Sequence, residues 1–254
     1  RSSKSTRQKS SKGKSSSAKR IFIALGLILF LSVCISFGYF YSKVFRSNLV
    51  LNQQKTDFVY IQTRDSFQDV VNQLTERGML RNRESFIWLS EFMDYDKKVK
   101  AGRFKVKDGM SNRELVMLLR SGKQEPIRIT FQNIRTKEDF ASKVGRNLEA
   151  DSSSLMDILN NNEEMRQFGL DSQHALSLFL PDTYEFYWNT TAPVFVEKMG
   201  KAYTKFWTED RLSKATQLGL SRGEICVLAS IVLQESNKSD EWPVIAGVYL
   251  NRLH

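Results

Sequence analysis

Ala229–Ser236, A-S-I-V-L-Q-E-S, ends an apolar run with a carboxylate. In a helix from about Arg222 to Ser236, the residues Leu228, Ile231, Val232 and Glu235 stand at i, i+3, i+4 and i+7 and share a face, while Gln234 points elsewhere. A carboxylate turned inward among aliphatic side chains resists ionisation, so its pKa rises. Held partly protonated near neutrality, it can give a proton to a leaving oxygen and later take one back, which is the chemistry of glycosidic bond cleavage. The same spacing also fits a carboxylate that leans into water at a helix end, or one that meets an arginine such as Arg252. No second acid shares that face within helical reach. Asp240 and Glu241 follow the expected turn, so a two-carboxylate hydrolase does not follow from the spacing.

A second constellation is Leu176–Thr190, L-S-L-F-L-P-D-T-Y-E-F-Y-W-N-T. Pro181, Asp182 and Thr183 read as a turn between aromatic-rich extended pieces. Tyr184, Phe186, Tyr187 and Trp188 either line a saccharide groove or belong to the core. The chain has no phosphate loop, H-E-x-x-H pair, G-x-S-x-G elbow or cysteine ladder. With His174 and His254 the two histidines, no metal site and no cofactor is expected.

These groups need positioning elements. The formal net charge of +10 is concentrated in residues 1–20, which hold eight of the 38 Lys/Arg and no acid. This Ser/Lys tail has almost nothing apolar to bury and is expected to be disordered. Ile21–Tyr41 follows as 21 residues without a charge, about 30 Å as a helix and so one membrane crossing. Its aromatic end lacks the small residues of a signal-peptide cleavage site. The positive-inside rule places residues 1–20 in the cytoplasm and everything after the span outside. The tail reads as a topology signal that touches anionic lipid, and no specific nucleic-acid role is assigned. Cys34 and Cys226 are not expected to pair.

Beyond the span, residues 42–56 read as a polar stalk. Phe58–Gln62 reads as a strand, Ser66–Glu76 and Arg83–Tyr95 as helices, and Arg103–Val106 as a second strand. A further helix opens on the capping-box spacing of Ser111 and Glu114. These elements define a small α+β module over 57–125, with an edge strand Ile127–Phe131 beyond it. Residues 126–254 are mostly helical. Thr136/Asp139 and Ser221/Glu224 have capping-box spacing, Ala192–Leu212 reads as one long helix, and Asp240-Glu-Trp-Pro243 starts the last helix.

L-F-L-P-D-T-Y-E-F-Y-W-N-T, A-S-I-V-L-Q-E-S-N-K and P-V-I-A-G-V-Y-L-N-R-L, in this order, resemble the MltG/YceG-like endolytic murein transglycosylases. The resemblance extends over most of residues 21–253. It implies an α+β chain with one N-terminal transmembrane helix, a LysM-like module over 57–125, and a catalytic domain over 126–254. It also implies cleavage of nascent peptidoglycan glycan strands between N-acetylmuramic acid and N-acetylglucosamine. Glu235 falls on the family's catalytic glutamate, acting as acid toward the leaving oxygen and then as base toward the sugar's own C6 hydroxyl, so that a 1,6-anhydro end forms. Ser230 and Asn251 would be candidate stabilisers of the developing charge, and Asp182, Tyr184 and Tyr187 candidate groove residues. The implied setting is the bacterial inner (cytoplasmic) membrane, with the catalytic domain periplasmic or extracytoplasmic. The partners implied are glycan strands, membrane lipid along 21–41 and cell-wall synthases. Three departures stand out. Leu233 occupies the place of a second glutamate common in relatives, and Ala175–Ser177 reads A-L-S where L-E-G is usual. The family's L-Q-x-D-P-T-type segment after N-R-L is not reached, so the catalytic domain is expected to be truncated here. A rival reading keeps the anchor but makes the chain a non-catalytic peptidoglycan-binding or scaffolding protein.

Overall fold

The computed structural model describes residues 15–52, 54–132 and 134–253, so positions 1–14 of the basic tail lie outside the described residues. Helix α1, Ser15–Phe45, takes in the apolar span and continues past it at both ends. Its stretch Ile23–Phe45 is long and apolar enough to cross a membrane. Residues read as a polar stalk are instead packed. Val44, Leu49 and Leu51 are buried. Asn48 donates to Asn82 O (2.9 Å) and Asn112 Oδ1 (2.7 Å), and its own Oδ1 accepts from Asn82 N (2.7 Å). Those partners stand 34 and 64 residues away, beyond the reach of any local pattern.

The chain divides into two units. The described residues of 1–57, 66–99 and 106–120 form the first. It holds α1, α2 (Phe67–Glu76), α3 (Arg83–Phe92) and most of α4 (Asn112–Ser121). Apolar residues at helical spacing, Val70, Val71 and Leu74 on α2 and Leu115, Val116 and Leu119 on α4, are buried there. Reciprocal capping boxes start two of these helices, Ser66/Asp69 on α2 and Ser111/Glu114 on α4.

Residues 58–65 and 100–105 and the described residues from 121 onward form the second unit. Strands β1 (Thr56–Ile61) and β2 (Gly102–Lys107) pair, and their portions 58–61 and 102–105 lie in this unit. The segment after β1 is fastened to the helical region. Thr63 donates its N–H and its hydroxyl to the Glu149 carboxylate, both at 2.6 Å, and the Tyr60 ring meets Trp188 at 5.2 Å. Strand β3 (Ile127–Thr130) pairs antiparallel with β4 (Thr183–Phe186), Ile127 opposite Phe186 and Thr130 opposite Thr183. Phe131, Phe140, Phe179 and Phe195 build the aromatic centre of the core, with Phe140 and Phe179 ring centres 3.9 Å apart.

Around this centre run α5 (Lys137–Asn147), α6 (Ser152–Asn160), α7 (Asn162–Arg166), a 3-10 turn at Ala175–Leu178, α8 (Ala192–Phe206), α9 (Glu209–Gln217), α10 (Arg222–Glu235) and α11 (Trp242–Leu253). The single helix read over Ala192–Leu212 is broken. Trp207 leaves helical geometry, and Thr208 caps α9 by accepting from Arg211 N at 3.4 Å. Thr-Glu-Asp is a strong start signal, with acids placed on the positive end of the new helix.

Candidate active site

Helix α10 opens on the Ser221/Glu224 capping box, in which Ser221 N donates to the Glu224 carboxylate at 2.7 Å. Those bonds, the hydroxyl's first, hold the Glu224 pKa below its ordinary value. Gly223 is buried under His174. A Cβ there would stand 2.6 Å from His174 Cγ, so only glycine lets the helix start lie this close. α9 and α10 meet at 83°.

At the far end, Ser236 leaves the helix and the following turn closes on itself. Ser236 Oγ donates to Glu241 Oε2 (2.7 Å), and Trp242 Nε1 donates to Ser236 O (2.9 Å). This returns the chain as α11, packed against α10. Two turns along α11, Tyr249 Oη donates to Glu235 Oε1 at 2.8 Å. The bond to Glu235, before burial and the carboxylate's charge, raises the Tyr249 pKa, while Arg252 opposes that rise. The arginine suggested as a partner for Glu235 sits over the Tyr249 ring, 5.9 Å from its centre. Sequence reasoning assigns Tyr249 no role; the available signal is a ring with a polar tip among aliphatic residues.

Of the readings that helical spacing leaves open, the inward carboxylate is the one the structure does not show: Val232 is buried, Leu228 and Ile231 are half-buried, and Glu235 is exposed at the helix end. Spacing puts the four on one stripe but cannot supply what lies over it. α11 contains no buried residue, and Leu233, Val244 and Val248 leave apolar surface open on the α10–α11 pair.

The other candidates are placed as follows. Ser230 is exposed and its hydroxyl donates back to Val227 O at 2.7 Å; five residues before Glu235, it lies about 140° around the helix from it. Asn251 is exposed and two residues from Tyr249, so the two side chains do not share a face. Asp182 serves the turn, its Oδ1 accepting from Thr183 N at 2.6 Å and its carbonyl from Phe131 N at 3.0 Å. Tyr184 is half-buried beside Phe131 and donates to Leu180 O at 3.2 Å; burial, and then the Asp182 charge, raises its pKa. Tyr187 is 56% exposed. Among the described residues, no hydrogen bond, ion pair or ring contact joins Glu235 to Asp182, Tyr184 or Tyr187. A cavity of about 700 Å³ lies elsewhere in this unit, lined by Phe168, Glu197, Gly200 and Lys201 among others and by neither Glu235 nor Tyr249.

An α+β chain with an apolar N-terminal helix and a carboxylate–phenol pair joining its last two described helices is the class that emerges. The sequence profile of the YceG-like family matches residues 59–254. The chain belongs to that family. It is 24% identical over 264 residues to the endolytic murein transglycosylase of Streptococcus pneumoniae serotype 2 strain D39, and equally to that of strain R6. Each alignment covers 91% of this chain and 47% of the relative, so the chain spans about half the length of the curated relatives it matches. A crystal structure of a YceG-like protein from Listeria monocytogenes superposes with a TM-score of 0.46 at 19% identity, covering 78% of this chain and 70% of that one.

Proposed function

We propose that this protein is an anchored endolytic murein transglycosylase in which Glu235 is acid and then base. Family membership supports the activity, and the Tyr249–Glu235 bond supports the assignment of the residue. A phenol donating to one carboxylate oxygen fixes the plane of the group and leaves the other oxygen to meet a glycosidic oxygen. A bound glycan over the apolar α10–α11 surface would strip water from Glu235 and favour its protonated form. Glu235 would protonate the oxygen leaving C1 of the muramic acid. It would then take the proton of that sugar's C6 hydroxyl as the hydroxyl closes on C1, so no protein nucleophile is needed. Ser230, Asn251, Asp182, Tyr184 and Tyr187 remain proposed substrate contacts.

We extend the reading to residues 57–125 as a LysM-like peptidoglycan contact and to 126–254 as the catalytic domain. α1 is the single-pass anchor in the bacterial inner membrane, with the N-terminus cytoplasmic and cell-wall synthases as neighbours. The exposure of Glu235, and a cavity that it does not line, favour a second reading, an anchored glycan-binding scaffold. The deciding experiment incubates the protein and Glu235→Gln with uncrosslinked glycan strands and determines fragment ends by mass spectrometry. Anhydro-muramic ends from the unsubstituted protein alone are expected. Reducing ends would mean hydrolysis, and intact strands bound equally by both proteins would establish the scaffold.

A further inference from the structure

Within the first unit, the helices α2–α4 are tied to α1 without slack. Asn112 Nδ2 donates to the Lys43 carbonyl at 2.9 Å, and Asn48 is tied to Asn82 and Asn112 a few residues later. α3 also packs against α1 where the apolar stretch ends. Phe40, 40% exposed where Phe37 is 67% exposed, meets Trp88 edge-on at 5.6 Å and Phe92 at 6.3 Å. Trp88 and Phe92 stack on each other at 5.7 Å, and Lys43 Nζ lies 4.7 Å from the Tyr39 ring centre and 5.4 Å from that of Trp88. Phe92 remains 66% exposed.

Inside a soluble surface this cluster is unexplained, because a phenylalanine this open gains nothing from water. At the end of a membrane span it has a partner. Aromatic rings concentrate at the lipid headgroup level, and a lysine there keeps its stem among them while its charge reaches phosphate. We propose that Trp88 and Phe92 of α3 complete the interfacial aromatic belt begun by Tyr39, Phe40 and Tyr41, so that the first unit rests on the bilayer surface by α3. The occupant of this surface is lipid, because the patch is continuous with the lipid-facing side of α1 and a rigid junction leaves it no room to move away. The inference rests on the reading of α1 as a membrane span.

The full protein is reconstituted in phosphatidylcholine–phosphatidylglycerol vesicles carrying an environment-sensitive thiol probe at one position at a time. The positions are Cys34 in the span, Phe92→Cys, and Glu76→Cys on α2, with the other cysteines replaced by serine. Phe92 and Glu76 are both exposed, so a probe at either leaves the buried core in place; at Phe92 it replaces one ring of the cluster, and Trp88 and Phe40 remain to seat it. Quenching by lipids brominated on the acyl chain near the headgroup is expected at Phe92→Cys at least about twofold above that at Glu76→Cys. If Cys34 is quenched while Phe92→Cys matches Glu76→Cys, the belt is overturned and the span stands. If Cys34, at the middle of the span, is not quenched even by lipids brominated near the end of the acyl chain, both fall. Protection of the Phe92→Cys probe from aqueous iodide without lipid quenching would assign the patch to a second copy of the chain and also overturn the proposal.

Discussion

Tyr249 Oη lies 2.8 Å from Glu235 Oε1, across the gap between α11 and α10, as the hydrogen-bond donor to that carboxylate. If Glu235 is the acid proposed above, removing the phenol with Tyr249→Phe is expected to lower kcat about tenfold with little change in KM, since in that mechanism it orients the acid and not the sugar. Melting should be unaffected, because α11 buries no residue. The bond also predicts an alkaline limb. A phenol whose pKa is raised above 10.0 in the fold keeps its proton, and its bond, throughout the neutral range and loses both only as pH climbs through the raised value. Equal kcat for the two proteins would remove Tyr249 from the site.

The start of α10 tests how the site is seated. Gly223→Ala would push a methyl to 2.6 Å from His174 Cγ and 2.7 Å from His174 Cβ, atoms too near the backbone to swing aside. A loss of about 1–3 kcal/mol is expected by thermal or denaturant unfolding. Pairing the change with His174→Gly should restore much of it, a coupling that helix propensity alone would not produce. Additive losses would mean that the contact does not carry the strain.

What local chemistry determines was legible. Ser221 and Glu224 announce the start of α10, and both halves of their capping box are present. The uncharged run 21–41 announces a helix. What depends on distant partners was not legible. Asn48 looks like stalk until Asn112 arrives from 64 residues away. Ile127–Thr130 reads as an edge strand, and it is one, but its partner Thr183–Phe186 stands more than fifty residues along the chain. Glu235 belongs to the apolar stripe by spacing, yet burial is a property of what packs on a stripe, which spacing does not contain. The break at Trp207–Thr208 was visible in Thr-Glu-Asp but was outweighed by the apolar period running through it.

Tyr95 is fully buried in the first unit, and its hydroxyl has no hydrogen-bond partner among the described residues. Burial pushes its pKa above the ordinary 10.0. Stability linked to the protonated phenol is therefore fully present below pH 10 and lost as pH rises beyond it. Tyr95→Phe removes a stranded polar group and should leave the protein as stable as before, or more stable by about 1 kcal/mol. The fall in Tm between about pH 8 and about pH 11 should shrink in the variant. A clear loss of stability at neutral pH would mean that the hydroxyl is satisfied after all.

Asn112, 1% exposed, decides whether α1 and the rest of the first unit behave as one body. One side chain donates to Lys43 O and Ser85 Oγ at 2.9 Å each and accepts from Asn48 Nδ2 at 2.7 Å. Asn112→Ala strands a buried amide and frees the carbonyl in the last turn of α1, at an expected cost of about 2–3 kcal/mol. The loss should be localised. Trypsin ought to cut after Lys43 and Arg46 faster in the variant than in the parent, in detergent micelles and before global unfolding, because the junction opens first. Asn112→Asp keeps the shape and the acceptor but not the donor to Lys43 O, and should fall between the two. Unchanged cutting in both variants would mean that the helix is joined to the unit by apolar contacts such as Val44, and not by this network.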